Sequence, residues 1–140
     1  YGKQDRAKDE FLESIVIPRP QAARIAAYKV SKRANADISA VACGIVIHEQ
    51  HDMITDARIA FGGMAGTPKR AHAAETALRG RPFARDTFEA AAHALAGDFQ
   101  PLSDWRASAD YRQAVAANLI RRFWLEQDGE AVRLTRVVGE

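Results

Sequence analysis

The chain has 140 residues, 47% of them hydrophobic and 27% charged, with a formal net charge of +2: enough for one globular core, too little for two, and of ordinary soluble composition. The pI near 8.9 comes from cations interleaved with acids, which weighs against a nucleic-acid partner. The single cysteine, Cys43, excludes an internal disulfide or a cysteine cluster, and no apolar run approaches the roughly 20 residues that span a bilayer.

Residues 1–10 are polar and irregular and read as a linker or arm. The chain begins at Tyr1 rather than Met, so it reads as a piece of a longer polypeptide, and the reduced cysteine fits the cytoplasm. Phe11 to Ile17 is rich in β-formers and is stopped by Pro18 and Pro20, which predicts a first strand. Arg24 to Val30 can be a second. Ser39 to His48 is the clearest, because Val41, Cys43, Ile45 and Ile47 alternate onto one face. Glu49-Gln50-His51-Asp52 reads as a hairpin turn. Met53 to Phe61 returns, with Met53, Ala57, Ile59 and Phe61 on one face and Asp56 and Arg58 on the other.

The period then changes from two to that of a helix. Thr67-Pro68 looks like an N-cap and first helical residue, with Gly80 as the stop. Asp86-Thr87-Phe88-Glu89 resembles a capping box. It leads into a stripe of Phe88, Ala91, Ala92 and Leu95 that ends at Gly97. The last and longest helix starts between Ser103 and Ser108 and repeats Tyr111, Val115, Leu119 and Phe123. Val132 to Val138 could be a final strand or an extended tail. Strands first and helices later predict an α+β fold, with a small antiparallel sheet of three to four strands and about three helices on one face.

No self-contained active site emerges from the residue pattern, and no catalytic or metal-ligating set is assigned. His48 and His51 flank a turn and read as solvated, and His93 has no second His at ligand spacing. Cys43 lies inside an apolar strand, unlike a reactive thiolate. No serine sits in a G-x-S-x-G context, and Gly62-Gly63-Met64-Ala65-Gly66 is not a dinucleotide-binding loop. That glycine run reads either as a tight strand-to-helix turn or as a wall beside a cofactor. The connection from Tyr28 to Val41 concentrates Lys29, Lys32, Arg33 and Asp37 without Gly or Pro, a possible seat for an anionic or electron-rich ligand.

Several motifs carry a family resemblance. Phe11-Leu12-Glu13-Ser14-Ile15-Val16-Ile17-Pro18, the Tyr28–Val41 connection, and Gly62-Gly63-Met64-Ala65 followed by Thr67-Pro68, Arg70-Ala71 and Glu75 come first. Ser103-Asp104-Trp105-Arg106-Ala107-Ser108-Ala109-Asp110-Tyr111-Arg112 and Asn118–Phe123 follow in the same order. Together they resemble the C-terminal domain of the FAD-binding subunit of molybdenum hydroxylases of the xanthine dehydrogenase and carbon monoxide dehydrogenase type, in particular the small subunit of bacterial xanthine dehydrogenase. The resemblance covers roughly residues 11–125 and implies a domain over 11–128 with a C-terminal tail at 129–140. Ala22-Ala23-Arg24-Ile25 stands where relatives often carry aromatics, and Ala34, Asn35 and Ala36 where some carry charges. Both departures imply altered surroundings for the flavin.

The resemblance implies a part of an oxidoreductase that is not catalytic by itself. It would close one side of an FAD site shared with an upstream FAD-binding domain, on the route from iron–sulfur clusters to NAD. Molybdopterin and 2Fe-2S clusters would lie elsewhere in the holoenzyme, in contact with a molybdenum-binding subunit. Leu12 and Lys29 are implied as FAD contacts, with Arg33 and Asp37 as charged positions of the same site. A cation near the N1/O2 side of the isoalloxazine would favour the anionic reduced flavin. Two other readings stay open: a ligand-free subunit-interaction or assembly domain, and a basic nucleic-acid-binding domain. The second of these lacks interleaved aromatic stacking platforms.

Overall fold

The computed structural model describes residues 4–17, 22–33 and 37–128. Strands β1 (Ala23–Val30), β2 (Val41–Gln50), β3 (Met53–Gly62) and β4 (Lys69–Arg70) form one antiparallel sheet in the order β1-β2-β3-β4. Helices α1 (His72–Leu78), α2 (Arg85–Ala94) and α3 (Ala109–Gln127) follow, with a 3-10 turn at Leu95–Gly97. The expected α+β architecture is the one observed. Val41, Cys43, Ile45 and Ile47 point into the core from β2 and meet Leu78, Phe88, Leu95, Ile120 and Phe123 from the helices. The opposite face of the sheet carries Ile25, Ala27, Lys29, Gly44 and Ala60, all exposed.

The β2–β3 hairpin turns on two residues, His51 (φ 51°) and Asp52 (φ 60°). Two consecutive left-handed residues match the right-handed twist of the strands they join. Just beyond the turn the pairing slips: His48 faces Asp56 but Glu49 faces Ile54. Thr55 is the extra residue, and its hydroxyl donates to the His48 carbonyl at 3.2 Å. This bulge reverses the side-chain alternation of β3. Ile54 is therefore buried with Ala57, Ile59 and Phe61, whereas Met53, expected on the core face, is exposed.

Other expectations also need correction. Phe11 to Ile17 is irregular, its large apolar side chains are exposed, and it pairs with no strand among the described residues. A β-former run becomes a strand only where another strand receives its N–H and C=O groups. Thr67-Pro68 does not open a helix. Lys69 and Arg70 first pair with Phe61 and Ala60 as β4, so α1 begins at His72. Its first amides are capped from a distance, the Asp98 carboxylate accepting Ala73 N–H at 2.8 Å and Ala74 N–H at 3.1 Å. Asp86 lies within α2 rather than before it; Ala84 is the N-cap and no side chain closes a capping box.

On α3 the buried stripe is Arg112, Ala116, Leu119, Ile120 and Phe123. Tyr111 is 49% exposed and Val115 is only partly buried, so the helix is turned from the expected face by about one residue. The expected N-terminal region is correct: Ser108 caps α3 and accepts the Tyr111 N–H at 3.2 Å. Val132–Val138 and the loop residues 34–36 lie outside the described residues. No described helix is long and apolar enough to cross a membrane.

Candidate functional site

At the end of the sheet where β2 begins and β3 finishes, a groove of about 760 Å³ opens between Ile38, Ala42, Gly62, Gly66, Leu102 and Arg106. Its volume lies within the range of small-molecule and cofactor sites. Its floor is low because the outward residues there are small. Ala42 pairs with Gly62 on one side and with Lys29 on the other. Lys29 thus stands outward on the row that forms the floor. Leu102 and Ile38 are large, apolar and exposed at the rim.

The glycine run forms one wall. Gly63 has φ +81°, and a Cβ there would overlap the Ala40 carbonyl oxygen, so only glycine fits. The run is a sharp turn from β3 into β4 rather than into a helix, and it lines the groove. The Arg70 and Glu75 that follow it fasten β4 to α1, with Arg70 Nε and Nη2 each donating to the Glu75 carboxylate at 2.8 Å.

A buried guanidinium stands in the groove's lining. The Arg112 side chain is 5% exposed. Its Nη1 donates to the Ala40 carbonyl at 2.5 Å and to the Gly63 carbonyl at 2.7 Å, and its Nη2 donates to Asp104 Oδ1 at 2.7 Å. The Asp104 carboxylate also accepts the Arg106 and Ala107 amides, at 2.8 and 3.1 Å. The Ala107 amide, then the Arg112 guanidinium and the Arg106 amide, hold the Asp104 carboxyl below its usual range against some desolvation. Arg106 stacks over Trp105 with the guanidinium carbon 3.9 Å from the ring centroid.

None of the four residues implied as FAD contacts lines the groove itself, and two of them, Lys29 and Asp37, neighbour lining residues. Lys29 is on the floor row, and Asp37 directly precedes the lining residue Ile38. Arg33 pairs with Asp37 at 3.8 Å, and its N–H donates to the same carboxylate at 3.2 Å. Because Arg33 is 76% exposed, that pair contributes little to stability and leaves the guanidinium in solvent. Leu12 is 71% exposed on the irregular arm and does not line the groove. Cys43 is buried, and burial pushes its thiol up to about 12, so it is no nucleophile at neutral pH. His48 lies on β2 and His51 in the turn.

The residue pattern assigns no role to Arg112 or Asp104, although both stand in the Ser103–Arg112 motif. The available signal was periodicity. Carried back one turn from Phe123, Leu119 and Ala116, the buried stripe of α3 lands on Arg112 rather than Tyr111. An arginine at that position needs partners inside the fold.

Residues 26–127 match the CO dehydrogenase flavoprotein C-terminal domain. The chain is 28% identical to the carbon monoxide dehydrogenase medium chain of Hydrogenophaga pseudoflava, over 82% of this chain and 40% of that one. It is 33% identical to the putative xanthine dehydrogenase FAD-binding subunit of Escherichia coli K12, over 79% of this chain and 39% of that one. A solved structure of the Hydrogenophaga pseudoflava carbon monoxide dehydrogenase superposes with a TM-score of 0.69 at 31% identity, covering 74% of this chain and 36% of its own. The chain belongs to the CO dehydrogenase flavoprotein C-terminal domain family. It spans about two fifths of the length of these curated relatives.

Proposed function

We propose that this chain is the C-terminal domain of the FAD-binding subunit of a molybdenum hydroxylase, and that its groove closes one side of the FAD site. The observation that carries this reading is the small-residue floor, where Ala42 and Gly62 leave room for a flat ring system and Lys29 stands on the same row. The family match and the FAD-binding subunit among the relatives support it. When bound, FAD supplies the carrier that takes electrons and passes a hydride to NAD.

This chain's own residues bind and orient. Lys29 places positive charge beside the floor, which favours an anionic reduced ring. Asp37 and Arg33 border the same end, and Ile38 and Leu102 exclude water from the rim. No phosphate-cradling loop is present in the sequence, so the FAD phosphates would be held by an upstream FAD-binding domain. Molybdopterin and the 2Fe-2S clusters would sit on other parts of the holoenzyme, reached through a molybdenum-binding subunit. Within this class we favour xanthine dehydrogenase on the motif resemblance, with carbon monoxide dehydrogenase relatives of comparable similarity.

A ligand-free assembly domain is the second reading, favoured by exposed Leu102 and Trp105 beside the groove, of which Trp105 is a residue type enriched at interface hot spots. Amide hydrogen exchange on the complete subunit, loaded with FAD and stripped of it, decides between them. The FAD reading expects slower exchange at residues 38–42 and 62–66 in the loaded form. Equal exchange there in both forms would leave the assembly reading standing.

A further inference from the structure

We propose that Arg112 is the positioning residue of the groove: one buried guanidinium sets the spacing of its walls and thereby the fit of the ring that enters. The proposal rests on the FAD reading for what enters the groove, but not for the positioning itself. The three segments it joins are distant in sequence. Ala40 precedes β2, Gly63 follows β3, and Asp104 belongs to the loop before α3. These same segments supply Ser39 and Ala42, Gly62 and Gly66, and Asp104 and Arg106 to the lining. No backbone ladder joins all three of them, because the strand pairing of β2 and β3 stops at Ala42 and Gly62.

The chemistry of the fork explains why arginine stands here. A planar guanidinium presents several N–H donors in fixed directions. Nη1 bridges two carbonyl oxygens and Nη2 takes a carboxylate, so the relative placement of three acceptors is set by one rigid group. A lysine ammonium in the same place is a single compact point on a flexible stem. Stability alone does not call for this arrangement, since the Asp104 side chain is 38% exposed and an ion pair that water reaches contributes little. Arg112 Nε is buried with no partner among the described residues, a further cost an apolar residue would avoid. The fit at Gly63 points the same way. A Cβ there would press into the Ala40 oxygen and lie 3.1 Å from Arg112 Nη1, so the three groups occupy one tight contact.

The test uses the complete subunit carrying Arg112→Met, with Arg112→Lys as the variant that keeps the charge. Leu78→Ala, in the core on α1, controls for lost stability. In the FAD-free subunit, Arg112→Met should speed amide exchange at residues 38–42, 62–66 and 104–107 by roughly tenfold. The α1–α2 packing should stay protected. Arg112→Lys should give the same pattern, because charge without the fork does not restore three contacts. FAD affinity should weaken by roughly tenfold in both Arg112 variants, and the visible circular dichroism of bound flavin should change. Leu78→Ala should lower the melting temperature without either effect.

Exchange in the three segments no faster than in Leu78→Ala overturns the proposal. So does full rescue by lysine. Should Arg112→Met fail to fold, Arg112→Lys and Asp104→Asn give the same readouts on their own. Faster exchange with unchanged FAD affinity would support the positioning role and overturn the FAD reading of the groove.

Discussion

The fully buried Glu75 carboxylate accepts the backbone N–H of Ile59 at 2.9 Å, fastening α1 to the middle of β3. Arg70 and Arg79 also donate to it, His72 Nδ1 lies 3.4 Å from it, and Arg79 Nη2 donates in addition to the Ala57 carbonyl at 2.6 Å. The contact supports the groove indirectly, because it holds β4 and the end of the glycine turn against the sheet.

Replacing Glu75 by Ala strands the Ile59 amide and removes the carboxylate from Arg70 and Arg79, of which Arg79 keeps Asp56 at 3.1 Å and the Ala57 carbonyl. Both guanidinium groups are partly exposed and can turn to water, so the expected loss is about 3 kcal/mol. Glu75→Gln keeps an acceptor for Ile59 and should lose less. Thermal melts of the two variants check the order; equal losses would show that the charge, not the amide contact, dominates.

The same residue predicts a pH dependence. Burial pushes the Glu75 carboxyl up, but the bond from Arg70 and the Ile59 amide outweigh it and hold it below its usual value of 4.5. A carboxyl with a lowered folded-state pKa adds stability that is complete above its unfolded pKa and lost as pH falls through the folded one. The wild-type urea midpoint should therefore fall more between pH 7 and about pH 3 than that of Glu75→Gln. Parallel declines would remove Glu75 as a source of acid sensitivity.

Phe123 is fully buried between β2 and α2, with its ring centroid 5.9 Å from that of Phe88. Phe123→Ala should cost about 3–5 kcal/mol. Tyr111→Ala, one face away on the same helix, should change stability by no more than about 0.5 kcal/mol. Denaturant unfolding of both variants tests the orientation of α3.

Two glycines of the same turn should behave oppositely. Gly63→Ala drives a methyl into the Ala40 carbonyl and should cost several kcal/mol, whereas a methyl at Gly66 would meet nothing within 4 Å and Gly66→Ala should be near neutral. Thermal melts of the two variants separate them. A tolerated Gly63→Ala would mean that the turn can open away from Ala40.

Lys29→Met, in the complete FAD-loaded subunit, should lower the flavin reduction potential. Lys29 is exposed in this chain, so the charge contributes about 1 kcal/mol, or roughly 20 mV for a two-electron couple. The side chain keeps its length, so packing is preserved. Redox titration of bound FAD measures the shift; an unchanged potential with full occupancy would make Lys29 a solvated surface lysine.

What the sequence determined by itself was whatever a short stretch of chain decides alone. The alternation of Val41, Cys43, Ile45 and Ile47 names the core face of β2, the stripe from Phe88 to Leu95 names that of α2, and Ser108 caps its own helix three residues on. The tertiary structure decided the rest. The bulge at Thr55 depends on the register with His48, and α1 takes its cap from Asp98, 25 residues away in the chain. Arg112 reaches Ala40 across 72 residues. Periodicity can mark Arg112 as buried but names none of these partners, because each satisfies its hydrogen bonds only once distant segments have packed together. The groove is made of these contacts, so its motifs were visible in the sequence while its shape belongs to the fold.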